Sequence, residues 1–120
     1  MNKRIPKIVK RWANNISKRK PKKMISFYSR RAILLATYES MLIGKDEIYG
    51  YFVEFLNKEN LNCKILENYT QTDYDRDTHI ANGLYEFSFN EGGEEKVVLA
   101  RYTFVVNKDK IITHHSSVNP

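Results

Sequence analysis

Apolar positions recur at helical spacing in the first part of this chain and at every second residue in the last half. Ile5, Ile8, Val9, Trp12 and Ile16 share one side of a helical turn pattern, with Lys3, Lys7, Lys10, Arg11 and Lys18 around the others. That spacing predicts an amphipathic helix. Pro6 is tolerable only in a first turn, so the helix begins near residue 5. A basic break follows over 17–23, and Pro21 suits the start of a second helix over 22–30 carrying Met24, Ile25, Phe27 and Tyr28. Residues 32–37 are a continuous apolar run, too short for an independent helix, and predict a buried strand. After Gly44 a third helix is expected over 46–57, with Asp46 and Glu47 in the first turn favouring its dipole. Its apolar stripe is Ile48, Tyr51, Phe52, Phe55 and Leu56.

From residue 62 onward the period changes to two, and strands are expected over 63–72, 79–90, 96–107 and 110–118. Tyr85, Phe87 and Phe89 alternate with Leu84, Glu86 and Ser88; Ala100, Tyr102, Phe104 and Val106 alternate with Arg101, Thr103 and Val105. Glu91-Gly92-Gly93-Glu94 and Asn107-Lys108-Asp109 are turn sequences, so the last three strands form an antiparallel meander. Helices first and strands afterwards means an α+β fold: about three N-terminal helices on one face of a strongly curved, mainly antiparallel sheet. A ligand would occupy the space that such a curled sheet encloses with its helices.

Composition narrows the class. A chain of 120 residues is expected to be one domain, 1–120, and no apolar run approaches the roughly 20 residues of a membrane-spanning helix. No apolar stretch follows the basic start, so a secretory signal is not expected. Cys63 has no cysteine partner and no neighbours at metal-ligand spacing, which points to a reducing compartment, the cytoplasm, and an ordinary core or edge residue. The net charge of +6 is uneven: residues 1–38 hold twelve Lys or Arg and no acid, the other 82 hold eight basic and fourteen acidic residues. Solvated charge or a contact between subunits is the first explanation, nucleic acid the second and an anionic membrane surface the third. A helix whose apolar face packs in the core leaves little for a membrane or an organelle presequence.

The stretch Phe27-Tyr28-Ser29-Arg30-Arg31-Ala32-Ile33-Leu34-Leu35-Ala36-Thr37, the helix with Tyr51-Phe52 and Phe55-Leu56, and the meander together resemble the nuclear transport factor 2-like superfamily. Gly83-Leu84-Tyr85-Glu86-Phe87-Ser88-Phe89, Ala100-Arg101-Tyr102-Thr103-Phe104-Val105 and the ending Ile112-Thr113-His114-His115-Ser116-Ser117-Val118-Asn119-Pro120 are most similar to small bacterial relatives of the association (hub) domain of calcium/calmodulin-dependent protein kinase II. The resemblance covers essentially the whole chain. It implies a homodimer formed through the sheet, or a higher ring of such dimers. It implies little about activity, because this superfold carries isomerases, dehydratases, cyclases, transport adaptors and scaffolds. The chain has no room for a kinase.

The resemblance also implies that Arg101 and His115 line the pocket. Arg101 lies in an otherwise apolar strand, where a charge is paired or faces solvent. If the last hairpin closes through Asn107, Lys108 and Asp109, Arg101 lies opposite His115; if through Lys108 and Asp109 alone, His115 faces Tyr102. In the first register Arg101 offers a forked donor to a carboxylate or phosphate and His115 a second donor, with Tyr85, Tyr102 or Tyr28 supplying hydroxyls. The alternative is an Arg101–Glu86 ion pair and a satisfied His115. A small anionic or polar ligand bound without catalysis is the expectation. Its rival is a cofactor-free isomerase, dehydratase or cyclase using Glu86 or His115 as base and Tyr102 as electrophile. His114 and His115 point to opposite faces of a strand and cannot share one metal ion, Ser116-Ser117 has no strained turn to activate it, and Asp73, Asp75 and Asp77 read as a solvated loop. No cofactor or metal is expected.

Overall fold

A computed structural model describes residues 2–120. The elements run α1 (Lys7–Asn15), α2 (Pro21–Ile25), β1 (Tyr28–Leu35), β2 (Met41–Ile43), α3 (Gly44–Phe55), β3 (Glu59–Asp73), β4 (Thr78–Glu91), β5 (Glu94–Asn107) and β6 (Lys110–Val118). The strands form one curved sheet in the order β2-β1-β6-β5-β4-β3, antiparallel except where β1 runs parallel to β6. Three helices pack on one face, as the α+β reading expects. Among the described residues no helix is long and apolar enough to cross a membrane.

Alternation does most of the positioning. Ala81, Tyr85, Phe87 and Phe89 of β4 and Ala100, Tyr102, Phe104 and Val106 of β5 all point into the core. Against them α1 sets Ile8, Val9, Trp12 and Ala13, the stripe its spacing predicts. Pro6 stands just before α1 and accepts from the Val9 and Lys10 amides, a place where its missing N–H costs nothing. A short 3-10 turn ends at Arg19, whose side chain donates to the Leu56 and Asn57 carbonyls at 2.9 and 3.1 Å. Those are orphan acceptors at the C-terminus of α3, so one arginine closes two helices. All twelve basic side chains of residues 1–38 are exposed, and among the described residues none forms an ion pair.

Two expectations need correction, and one element was missed. The helix over 22–30 stops at Ile25, and Tyr28–Arg31 belong to β1. The Ile111 amide donates to the Phe27 carbonyl at 2.8 Å and Tyr28 is fully buried, so long-range pairing overrides a local helical spacing. The three-residue β2 carries no periodic signal of its own and was not foreseen. The last hairpin turns on Lys108 and Asp109, both at positive φ, as a two-residue hairpin turn requires. A bulge in β6 at Ile112, facing Val105 and Val106, then shifts the pairing by one, placing Thr103 opposite His115 and Arg101 opposite Ser117. Neither register read from the sequence survives beyond that bulge.

Candidate functional site

The sheet, α1 and α3 enclose a cavity of about 280 Å³. Trp12, Leu34, Tyr51, Phe52, Phe55, Phe87, Phe89 and Val98 form its apolar walls. Thr37, Tyr85, His114 and Ser116 are the uncharged polar residues of its lining, and Tyr38, Glu39, Glu54 and Lys58 also border it. Tyr38, Glu39 and Glu54 are exposed, so the ionised carboxylates of the lining stand at its mouth. Lys58 lies with its Nζ 4.5 Å from the centre of the Phe89 ring.

Four side chains from four elements meet at the cavity wall, Trp12, Tyr85 and His114 on its lining and Tyr28 behind them. Trp12 Nε1 donates to Tyr28 Oη at 3.0 Å, Tyr28 Oη lies 2.8 Å from His114 Nδ1, and His114 Nε2 lies 3.1 Å from Tyr85 Oη. The rings pack as closely as their hydrogen bonds: Trp12 stacks on Tyr85 at 5.7 Å and 16°, and His114 stacks on Phe104 at 3.9 Å and 16°. Burial, with a smaller push from adjacent His115, lowers the His114 imidazole to about 3, so it is neutral at physiological pH. Burial likewise raises the Tyr28 and Tyr85 phenols well above their ordinary value. Beside this group, Thr37 Oγ1 and Ser116 Oγ share a hydrogen bond of 2.6 Å.

The four residues singled out from the sequence are dispersed. His115 and Arg101 are exposed on the outer face of the sheet, and Arg101 Nε donates to Ser117 Oγ at 3.2 Å. Among the described residues Arg101 has no acidic partner: Leu84 and Ser117 flank it on the neighbouring strands. Glu86 is half-buried on the same face, opposite Lys64 and Leu99. Tyr102 does point inward, but its hydroxyl donates to Asn68 Oδ1 at 2.6 Å and to the Glu67 carbonyl at 3.2 Å, away from the cavity lining. Asn68 and Thr70 in turn hold the Arg4 carbonyl at 3.2 and 2.7 Å, so this cluster anchors the N-terminal segment.

Strand parity explains the exchange. His114 and His115 do face opposite ways, as adjacent strand residues must, and it is His114 that turns inward. Of the tyrosines named with Arg101 and His115, Tyr85 lines the cavity and Tyr28 does not; Trp12 and His114 were not foreseen as members of the site. Trp12 was signalled only as a member of the helical stripe, and the face of His114 becomes readable only once the bulge is known.

The nuclear transport factor 2-like fold is also what comparison with solved structures shows. A candidate calcium/calmodulin dependent protein kinase II association domain from Xanthomonas campestris superposes with a TM-score of 0.85 at 26% identity, covering 100% of this chain and 96% of that one. A ketosteroid isomerase-like protein from Erwinia carotovora atroseptica gives 0.76 at 15% identity, over 94% and 92% of the two chains. A candidate polyketide cyclase, again from Xanthomonas campestris, gives 0.67 at 12% identity, over 93% and 87%. No family model matches the sequence, and no curated protein matches it.

Proposed function

We propose that this nuclear transport factor 2-like chain is a non-catalytic binding module that holds a small, largely apolar molecule in its cavity and pairs with a second copy through the outer face of its sheet. The observation that carries the first part is the cavity itself: aromatic walls around a few polar residues, with its carboxylates at the mouth. Arg101 and His115, on which an anion site would rest, are outside it. An isomerase or cyclase, as named for some neighbours, needs a tuned base with a free lone pair inside the cavity. Both nitrogens of His114 are taken by tyrosines, and Glu39 and Glu54 are exposed.

The test is a thermal-shift and saturation-transfer screen of small aromatic ketones, phenols, hydrocarbons and carboxylates. Neutral aromatic compounds are expected to stabilise the protein, and Val98→Phe, which fills part of the cavity, to abolish the effect. Stabilisation by carboxylates alone, or by nothing, would overturn the reading.

Pairing rests on a different observation. Ile80, Leu84, Leu99 and Val105 lie on the outer face of the central strands, where no helix covers them, with Arg101, Thr103 and His115 beside them. The Xanthomonas relative is itself described as an association domain. In this arrangement Arg101, His115 and Glu86 are intersubunit residues. The exposed basic side chains of residues 1–38 remain at the solvated periphery, and the buried thiol of Cys63 suits the cytoplasm. Light scattering should return twice the chain mass of 14.2 kDa or a larger even multiple, and Val105→Lys should return a folded monomer. A wild-type monomer would sink it.

A further inference from the structure

The polar side of α1 is built from cations that the fold does not use. Val9, Trp12 and Ile16 turn into the core, while Lys7, Lys10, Arg11 and Lys18 come round on the opposite side of the helix and its 3-10 extension. Lys7, Arg11 and Lys18 stand in a row roughly 16 Å long, with Lys10 beside it. All four are exposed, and among the described residues none is in an ion pair. No carboxylate precedes Glu39 in the chain. Lys7 opens α1, whose first turn carries no acid, so it stands where the helix dipole disfavours a cation. Lys20 and Lys22 follow, exposed and equally unpaired. Arg19 is the exception, since it is occupied by the Leu56 and Asn57 carbonyls.

Repulsion within such a row disfavours the folded chain, and a bound polyanion would remove it. The surroundings narrow the kind of polyanion. Large apolar side chains that remain exposed begin at Leu35, so residues 2–34 offer no wedge for a bilayer and no apolar centre for a protein interface. The aromatic rings of the same stretch, Trp12, Phe27 and Tyr28, are all buried, which leaves no platform for stacking unpaired bases. Asn14 and Ser17 are the other exposed side chains between Lys7 and Lys18. What remains is a row of point charges, mostly lysine, that attracts phosphates by its density and reads no base edge. Because the helices cover the inner side of the sheet, the row points away from the outer sheet face and stays open in a pair formed there.

We infer that the basic side of α1 and the turn after it bind the phosphate backbone of a double-stranded nucleic acid, without regard to base sequence. This goes beyond the cavity and the pairing proposed above and depends on neither. Lys7, Lys10, Arg11 and Lys18 are the contact residues. DNA and RNA duplexes present the same phosphates, so both are probed.

The test titrates the full chain into labelled DNA and RNA duplexes, a single strand of the same length, and vesicles of phosphatidylserine in phosphatidylcholine. Each phosphate neutralised on B-DNA contributes about −0.9 to the slope of log affinity against log salt. About four to six contacts therefore predict a slope of about −4 to −5, and a loss of about 100-fold to 1,000-fold between 50 and 200 mM salt. The triple variant Lys7→Gln, Lys10→Gln, Arg11→Gln should weaken binding to every duplex sequence alike and make the slope shallower by about 3. A second triple variant, Arg76→Gln, Lys96→Gln, Lys108→Gln, removes the same charge from exposed positions elsewhere and should bind as wild type does. Circular dichroism checks that both variants are folded. A preference for DNA or for RNA names the source of the phosphates and supports the inference. Equal losses in the two variants, tighter binding to the single strand or to the vesicles than to either duplex, or no duplex binding at 50 mM salt would overturn it.

Discussion

Acidification should destabilise this protein steeply, with one histidine as the main contributor. The His114 imidazole takes up a proton near 6.5 in the unfolded chain but near 3 in the folded protein, where burial comes first and the neighbouring His115 second in disfavouring the cation. In that window the unfolded state binds more protons, so stability rises with pH. The contribution is complete above 6.5 and is lost as the pH falls towards 3. The loss is about 1.4 kcal/mol per pH unit and nears 5 kcal/mol at the bottom of the window, a large share of the 5–15 kcal/mol typical of a folded domain. The packing around the ring contains no relief: Tyr28, Tyr85, Trp12 and Phe104 surround it without a carboxylate. Urea midpoints measured between pH 7 and pH 4 should fall steadily in wild type and much less in His114→Gln. An equal fall in both would place the acid sensitivity elsewhere.

Gly83→Ala should be as damaging as any single methyl group in the molecule. A Cβ at Gly83 would overlap the Glu67 carbonyl of β3 and come within 2.8 Å of Tyr102 Oη. The clash is with backbone, because an irregularity in β3 between Ile65 and Glu67 turns that carbonyl towards Gly83, where Tyr102 also donates to it. Nothing flexible can yield, and a loss of about 3 kcal/mol or more is expected. Gly50→Ala is the internal control. It lies in α3 with nothing near its added Cβ, and should gain up to about 1 kcal/mol from helix propensity. Equilibrium unfolding of the two variants beside wild type decides the matter, and a Gly83→Ala protein as stable as wild type would refute the steric argument.

How far the sequence could be read depended on whether a contact was periodic. The stripe of Ile8, Val9 and Trp12 and the alternation of Tyr85, Phe87 and Phe89 each repeat within one element, so both were legible. Tyr28 misled because its spacing from Met24 is helical while its partner lies far along the chain, in the parallel pairing with β6. The site suffered most from a single unpaired residue. A bulge in a strand has no periodic signature, and one extra residue between the turn at Lys108-Asp109 and His114 changes which histidine meets the core. The expectation of a ligand space between sheet and helices needed only the curvature. Its chemistry needed the register.

The irregularity that presses Glu67 onto Gly83 has another effect, because β3 is an outermost strand. An outer strand of 15 residues exposes a row of free amides and carbonyls, the usual template for runaway strand addition. Here the row is interrupted twice. The β3 backbone departs from regular pairing near Leu66, and Asn2 occupies the Thr70 position with a short antiparallel bridge. A further copy arriving edge-on would find no continuous ladder to extend. Growth by sheet extension is thereby discouraged, and what remains open for self-association is the broad face, where contact is finite and closes on itself.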